Sequence, residues 1–227
     1  MFEHCYMNRS ATVQQLQQRI TEMQSLRLDD RALPTADAAR DLLPGRALRS
    51  GASYSIHGST QLARALLSEV SAAGSWCGAI GLPGLGAEAA ATLGIALDRW
   101  ISIPHPGEHA VGIAGTLSEV FTGIILRPTT RVEPREAERL SAKLRENGAV
   151  LLVLGDWPRC ESTLRVEGSA WSGLGAGHGL LGDRELTISS DDRRGLGRHT
   201  VRFSDGRLIA GAPVVPLRAV PPLGVAQ

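Results

Sequence analysis

Two glycines and an alanine have the spacing of a dinucleotide-binding site. Gly84, Gly86 and Ala89 match the pattern G-x-G-x-x-G/A between an apolar run and a good helix former. In that pattern, backbone N–H groups at a helix N-terminus bind a pyrophosphate. However, another strand-helix unit precedes this one, and no acidic residue closes the next predicted strand before Glu108 appears. A lone fingerprint is a weak signal, so a nucleotide- or dinucleotide-binding enzyme using residues 84–89 stays an alternative.

A loop in the position of a phosphate-binding loop joins the first predicted strand to a helix beginning at Leu62. A working loop needs several glycines, a lysine, and a Ser or Thr that binds Mg²⁺. This one is about three residues too short for that pattern, and Lys143 is the only lysine in the chain. Arginine does not reproduce a compact ammonium between two phosphates. The sequence therefore predicts a nucleotide-hydrolase scaffold with a degenerate phosphate loop and no bound nucleotide; the loop residues are His57, Gly58, Ser59 and Thr60.

The remaining reactive side chains do not form a convincing site. His105 and His109 have the i, i+4 spacing of metal ligands on a helix, but Pro106 and Gly107 interrupt any such helix. Three widely spaced cysteines argue against a disulfide framework and against a zinc site: Cys5, Cys77 and Cys160. We therefore expect no metal and no cofactor. Trp157 follows a predicted strand at its carboxyl end, where α/β folds place ligands.

Composition limits what the chain can be. With 227 residues and 43% hydrophobic residues, it can bury one substantial core. Its formal net charge of +1 gives no overall field that favours nucleic acid or a membrane, so such binding must be local. No apolar run reaches the length of a transmembrane helix, and the N-terminus lacks a signal-peptide pattern. We therefore predict a cytoplasmic protein without membrane contact.

Strands and helices alternate through the middle of the chain. The predicted strands occupy residues 53–56, 76–80, 101–103, 123–126 and 149–154. The run over 123–126 is continuous and apolar, which is typical of a parallel sheet covered on both faces. Beyond Asp156 the pattern changes to that of antiparallel or edge strands, over residues 159–166, 185–189, 199–203 and 207–209. The predicted fold class is α/β: a mostly parallel sheet flanked by helices, with antiparallel strands at the C-terminal edge.

The N-terminal segment carries a narrow apolar seam on a polar, glutamine-rich stretch, residues 11–28. The seam suits packing against one partner helix better than covering a sheet. The segment either folds back on its own domain or docks another protein, in which case the partner-binding residues are Val13, Leu16, Ile20 and Met23. We predict an N-terminal helix and linker (1–45), a core (46–212) and an unstructured Pro-rich tail (213–227).

Four runs of sequence resemble the RecA-type recombinase core. Within that superfamily the chain is similar to the actinobacterial branch of the ImuA family, RecA-like accessory proteins of inducible mutagenesis. The resemblance covers residues 46–209 and rests on the arrangement of elements and their apolar pattern. The runs are SYSIHGSTQLARALLSEVSAAG, WCGAIGLPGLGAEAAATLGIALDRW, PGEHAVGIAGTLSEV and AERLSAKLRENGAVLLVLGD. The resemblance implies that the core has a RecA-like fold.

The resemblance also implies that two catalytic acids are missing. A recombinase presents a glutamate after its second strand to activate the attacking water, and the matching place here is near Pro83. The strand that should end in the Mg²⁺-orienting aspartate is followed here by Arg127. Because phosphoryl transfer depends on positioning and charge stabilisation, these losses predict that the protein is not an enzyme. Glu88 and Glu108 are the acids that could act slightly out of register.

A mobile glycine-rich loop of recombinases touches single-stranded DNA, and residues 173–182 are similar in place and composition. Four arginines follow and predict a small basic patch with a weak DNA contact: Arg193, Arg194, Arg198 and Arg202. The alternative is a solvated hairpin face, which the absence of an aromatic ladder for stacking bases favours.

By resemblance, the expected function is that of a non-catalytic accessory or adaptor protein in DNA-damage-induced (SOS) translesion mutagenesis. Its implied partners are RecA, an ImuB-like protein and an error-prone polymerase, and its implied location is the cytoplasm, on the nucleoid when recruited to damaged DNA. A second hypothesis is a SulA-like division inhibitor, since SulA shares this degenerate core. The sequence leaves open which surface meets which partner.

Overall fold

The computed structural model describes residues 31–173 and 182–210. Its strands are β1 (Ser53–His57), β2 (Cys77–Ile80), β3 (Trp100–Ile103), β4 (Gly123–Leu126), β5 (Val150–Leu154), β6 (Ser162–Trp171), β7 (Arg184–Asp192), β8 (Gly195–Ser204) and β9 (Arg207–Ala210). Its helices are α1 (Thr60–Ala72), α2 (Ala87–Thr92), α3 (Ala110–Leu117) and α4 (Pro134–Asn147). The predicted N-terminal seam, most of the glycine-rich segment and the Pro-rich tail lie outside the described residues.

The described strands form one sheet in the order β3-β2-β4-β5-β1-β6-β7-β8-β9. The first six of these strands run parallel, and β6 through β9 pair antiparallel with one another. The predicted α/β fold class is therefore confirmed. Strand β6 pairs antiparallel with β7, as the sequence predicted, and its first residues also pair in parallel with β1, so it joins the two parts of the sheet.

Strands β4 and β5 are apolar throughout because each of their faces packs on helices. On β5, Leu152 belongs to the cluster that contains α1, whereas Leu151 and Val153 face the cluster formed with α3 and α4. On β4 the same alternation places Ile125 in the first cluster and Ile124 in the second. A strand covered on both faces cannot alternate polar and apolar residues, which explains the continuous apolar runs in the sequence.

Helix α4 shows how local sequence sets the ends of these elements. Pro134 occupies the first turn, where the missing N–H costs nothing, and Gly148 ends the helix with φ 72°. A left-handed conformation at this position favours glycine. The next residues then enter β5 directly, so the helix and strand are positioned by a single turn.

The segment that we expected to be a linker is packed against the core where it is described. The segment contains a 3-10 turn over Asp37–Leu42. Ala39, Leu42 and Leu43 are fully buried in the cluster that also contains α1. Their apolar side chains cover the face formed by β8 and β9, so the described part of this segment packs with the folded domain.

Candidate functional site

The loop between β1 and α1 ends in a helix cap that occupies a backbone N–H group to which a phosphate could bind. The Ser59 hydroxyl accepts a hydrogen bond from the backbone N–H of Leu62 at 3.0 Å, which satisfies one of the free donors of α1. Gly58 has φ 87°, and a Cβ there would lie 3.1 Å from Cβ of Val166 on β6. The loop is therefore held tightly between the helix and β6.

Arg127 is placed against the loop residue that would hold a magnesium ion. Its guanidinium Nη2 donates to the Thr60 hydroxyl at 3.1 Å. Arg127 follows β4 directly, and its own N–H donates to the carbonyl of Ile80 at the end of β2. A fixed cation at this hydroxyl repels a dication and occupies the oxygen that would bind it.

Gly81 allows the ends of β2 and β4 to meet at this site. It has φ 77°, and a Cβ added to it would lie 2.2 Å from the carbonyl oxygen of Arg127. Its N–H donates to the carbonyl of Ile103 at the end of β3. The backbone that carries Arg127 toward Thr60 therefore depends on the absence of a side chain at this glycine.

The carboxyl end of β1 carries a histidine in a small polar cluster. The Ser55 hydroxyl donates to the carbonyl of Gly155 at 2.5 Å, so it accepts from His57 Nε2 at 3.1 Å. Nε2 also lies 3.5 Å from the Asp156 carboxylate. Burial lowers the pKa of His57 and Arg165 lowers it further, against the opposing effect of Asp156. A neutral imidazole at pH 7 fits a structural contact between β1 and β5.

A cavity of about 490 Å³ lies beside the loop and has a cationic lining. Arg184 crosses from β7 and donates to the Gln61 side chain at 2.9 Å, and its guanidinium stacks 5.2 Å from the centre of the Trp171 ring. Arg64 of α1 also lines the cavity; its Nε is buried and finds no partner among the described residues, and burial lowers its pKa. Such a lining attracts anions but offers no carboxylate ligand for Mg²⁺.

The acidic residues considered as substitutes do not reach this cavity. Glu88 is exposed on α2 and Glu108 is exposed beside His109, and neither lines the cavity. Pro83 lies exposed in the turn after β2, which is where the sequence predicts it. In the described part of the chain, no cluster of three or more His, Cys, Asp or Glu side chains has a metal-binding arrangement.

The dinucleotide-like motif is present as a turn followed by a very short helix. Gly84 has φ 77° with open space around it, and Gly86 caps α2 without a side-chain hydrogen bond. Helix α2 has six residues, and Ala89 lines the cavity from it. One further contact closes this side: the β8–β9 turn packs on α2 so closely that a Cβ on Gly206 would lie 2.1 Å from the Thr92 methyl group.

Trp157, which the sequence placed at a ligand position, is a core residue. It is 5% exposed and packs in the cluster with α3 and α4. Its indole Nε1 has no hydrogen-bond partner among the described residues. The ring therefore fills space beneath the sheet edge, with no accessible face for a ligand.

Carboxylates lie beside most of the four arginines that the sequence grouped as one basic patch. Three are close to carboxylates: Arg194 binds Asp192 at 2.6 Å, Arg198 lies 3.5 Å from Glu167, and Arg202 lies 3.7 Å from Asp183. Arg194 also holds the pKa of Asp192 below its ordinary value through their hydrogen bond. Arg193 lies in the β7–β8 turn and lines a separate cleft at the opposite edge of the sheet.

The sequence analysis did not identify three charged side chains at this site: Arg64 and Arg184 in the cavity, and Asp156 beside His57. Arg184 contacts Gln61, which is 123 positions away in sequence, and no local pattern predicts such a contact. Arg64 follows the loop on α1, and its sequence position alone does not indicate that it lines the cavity. Asp156 was noted only as the end of the apolar run, yet its position after β5 brings its carboxylate beside His57.

The fold and this site together define a class: a RecA-like α/β domain with a degenerate phosphate loop. The structure is similar to the crystal structure of the RadB recombinase, with a TM-score of 0.53 and 15% sequence identity. The match covers 75% of this chain and 95% of the recombinase. At this identity the likeness shows the fold alone.

The chain belongs to the family described as the MT3502 N-terminal domain, whose model matches residues 41–159. It is also similar to "Uncharacterized protein Rv3395c" of Mycobacterium tuberculosis, with 30% identity over 156 residues. That match covers 65% of this chain and 76% of the relative. Within the described residues, no helix is long and apolar enough to cross a membrane.

Proposed function

We propose that this protein is a non-catalytic, RecA-like accessory protein of DNA-damage-induced (SOS) translesion mutagenesis. It acts in the cytoplasm, and on the nucleoid when recruited, through contacts with RecA, an ImuB-like protein and an error-prone polymerase. The RecA-like fold supports the general class, and the four runs of sequence resemblance support the particular role. The observation that carries the non-catalytic part is the Arg127 guanidinium on the Thr60 hydroxyl.

That contact bears on nucleotide hydrolysis in a direct way. Hydrolysis of a nucleoside triphosphate needs a dication between the β- and γ-phosphates and an oriented water. Here a cation faces the hydroxyl that would bind the dication, and the two substitute acids do not line the cavity. The short loop holds one glycine and no lysine. A RecA-like domain in this condition retains surfaces for protein contacts and lacks the chemistry.

We predict that nucleotides and dinucleotides leave the stability of the protein unchanged. A ligand present at 100 times its dissociation constant stabilises a protein by about 2.7 kcal/mol, which raises the melting temperature of a chain of this size by roughly 5–10 °C. Melting curves and calorimetry with ATP and Mg²⁺, ATP and EDTA, NAD, and FAD measure this. The EDTA arm separates an anion held by Arg64 and Arg184 from a true Mg²⁺-nucleotide site.

A saturable, Mg²⁺-dependent ATP signal in the micromolar range would contradict the non-catalytic assignment. A comparable signal with NAD or FAD would instead favour the enzyme that uses residues 84–89. Binding of ATP that is equally strong with EDTA would leave the assignment standing, because it would report only the cationic lining of the cavity.

The partner contacts are tested by capture experiments with RecA, the ImuB-like protein and the polymerase. We predict that replacing the four seam residues by serine weakens capture at least tenfold, because the apolar seam is the docking surface. The matched control replaces polar residues that the same helical spacing places on the opposite side. The seam residues are Val13, Leu16, Ile20 and Met23, and the control residues are Gln14, Gln15 and Gln18.

Equal capture by the seam variant and the full-length protein would remove this helix from the proposed role. Loss of capture by the control variant as well would show that the segment acts through its overall structure. Filamentation of cells on overexpression, with no capture of mutagenesis proteins, would favour a SulA-like division inhibitor instead.

A further inference from the structure

A polar cleft lies at the edge of the sheet opposite the phosphate loop, where β1 begins. Its volume is about 320 Å³, in the range of small ligand sites. Five arginines and one glutamate line it, a formal local charge of +4 in a chain whose net charge is +1. The charged lining residues are Arg31, Arg49, Arg145, Arg159, Arg193 and Glu161.

The one carboxylate of the cleft is already engaged. Glu161 accepts from Arg49 Nη1 at 3.1 Å, and both side chains are mostly buried. The Arg49 N–H donates to the phenol oxygen of Tyr54 at 3.1 Å. Burial raises the pKa of Tyr54 well above its ordinary range, so the phenol stays neutral and holds the backbone of Arg49 in place. The polar groups at the floor of the cleft therefore already have hydrogen-bond partners within the protein.

The remaining arginines of the cleft are supplied by separate elements. Arg145 comes from the last turn of α4, Arg159 from the segment before β6, and Arg193 from the β7–β8 turn. Arg159 also binds Glu138, whereas Arg145 and Arg193 have no carboxylate within ion-pair distance among the described residues. A surface that binds no ligand would be expected to pair such arginines with carboxylates, as Arg198 and Arg202 of β8 are paired.

Two backbone features keep these charges at the cleft. Gly51 has φ 78°, and a Cβ there would lie 3.0 Å from Cα of Arg145. The backbone just before β1 is therefore in close contact with the last turn of α4. Arg159 has φ 55°, a conformation that non-glycine residues rarely adopt. Strained positions of this type are concentrated at functional sites.

We propose that this cleft binds the phosphate backbone of nucleic acid. Guanidinium groups match phosphate oxygens in planar, bidentate geometry, and several of them from different elements can follow successive phosphates. The lining contains no aromatic or large aliphatic side chain, which argues against base stacking and against an acidic peptide anchored by apolar residues. Binding is therefore independent of sequence and sensitive to salt.

The test is fluorescence anisotropy of the full chain with labelled DNA, single-stranded and duplex, over a series of salt concentrations. The double variant Arg145→Gln with Arg193→Gln is expected to bind at least tenfold more weakly. Its plot of log affinity against log salt is expected to be shallower by about 1.4–1.8, because two phosphate contacts are lost. The matched control is Arg40→Gln with Arg46→Gln, which removes the same formal charge from arginines that already have carboxylate neighbours and lie outside the cleft; we expect less than a twofold change.

Several results would overturn the proposal. The unaltered protein could fail to bind DNA at about 50 mM salt, where backbone contacts are strong. Both double variants could weaken binding equally, which would indicate diffuse charge. Polyglutamate could bind with the same dependence on Arg145 and Arg193 and displace DNA, which would identify an acidic peptide as the ligand. Melting curves check that the variants fold; if the double variant does not, Arg193→Gln alone, in an exposed turn, is expected to flatten the salt plot by about 0.7–0.9.

Binding at this cleft does not depend on the accessory role proposed above. Loss of DNA binding in the cleft variant with unchanged capture of partner proteins would support the cleft alone. Loss of capture with unchanged DNA binding would concern the N-terminal seam alone.

Discussion

Replacing Gly81 with alanine is expected to lower the free energy of unfolding by roughly 3 kcal/mol or more. Two costs add at this position. The left-handed φ of 77° disfavours any residue with a Cβ, and the added methyl group would lie 2.2 Å from the Arg127 carbonyl oxygen. That oxygen belongs to backbone fixed between β2 and β4, so the clash cannot be relieved by rotating a side chain.

Gly84 provides a matched control for this prediction because it has the same φ of 77° and open space around it. Gly84→Ala is expected to cost about 1–2 kcal/mol, the backbone cost alone. Denaturant unfolding followed by circular dichroism and tryptophan fluorescence measures both variants. Equal losses in the two variants would show that the ends of β2 and β4 can separate freely, and the close approach that positions Arg127 would then carry no energetic weight.

The sequence predicted the parallel part of the fold well because burial on both faces leaves a strong local signal. The runs over β2, β4 and β5 are continuous and apolar, and the helix between β4 and β5 has a proline at its start and a glycine after its end. Such signals depend on neighbours in sequence only. They are therefore readable before any tertiary contact is known.

The sequence predicted less about how the remaining elements pair. The alternating polarity of β6 predicted an antiparallel or edge strand, but it gave no sign that β6 also pairs in parallel with β1 and so joins the two parts of the sheet. The 3-10 turn over Asp37–Leu42 lies in the segment that was expected to be a linker because prolines and mixed charge surround it, yet its Ala39 and Leu42 side chains are buried. Pairing partners and burial of short segments are decided by distant residues, which no local pattern contains.

The candidate site divides in the same way. The short loop, the missing lysine and the cation at Arg127 could be recognised from sequence because they are departures from a known order of residues. The contacts of that cation with Thr60, and of Arg184 with Gln61, join residues 67 and 123 positions apart. The basic cleft is the extreme case, since its arginines come from five separate segments that only the folded sheet brings together.

If the domain binds no nucleotide, as we propose, its stability must come from its core. Leu152 tests this because it is fully buried in the middle of β5, between Tyr54 of β1 and Ile125 of β4 in the strand register. Leu152→Ala is expected to lower the free energy of unfolding by roughly 2–5 kcal/mol, since it leaves a cavity beneath α1 that the rigid sheet cannot fill.

The control for Leu152 is Leu196→Ala, whose side chain is 84% exposed and whose loss should change stability by less than about 0.5 kcal/mol. The same denaturation curves are recorded with and without ATP and Mg²⁺. Because a bound nucleotide would add its binding energy to the folded state, it would partly restore the Leu152→Ala variant. We expect no restoration. A small loss in this variant would show that the neighbouring side chains close over the cavity. A clear recovery with ATP and Mg²⁺ that EDTA abolishes would show that the domain draws stability from a Mg²⁺-nucleotide, and the non-catalytic assignment would then fail.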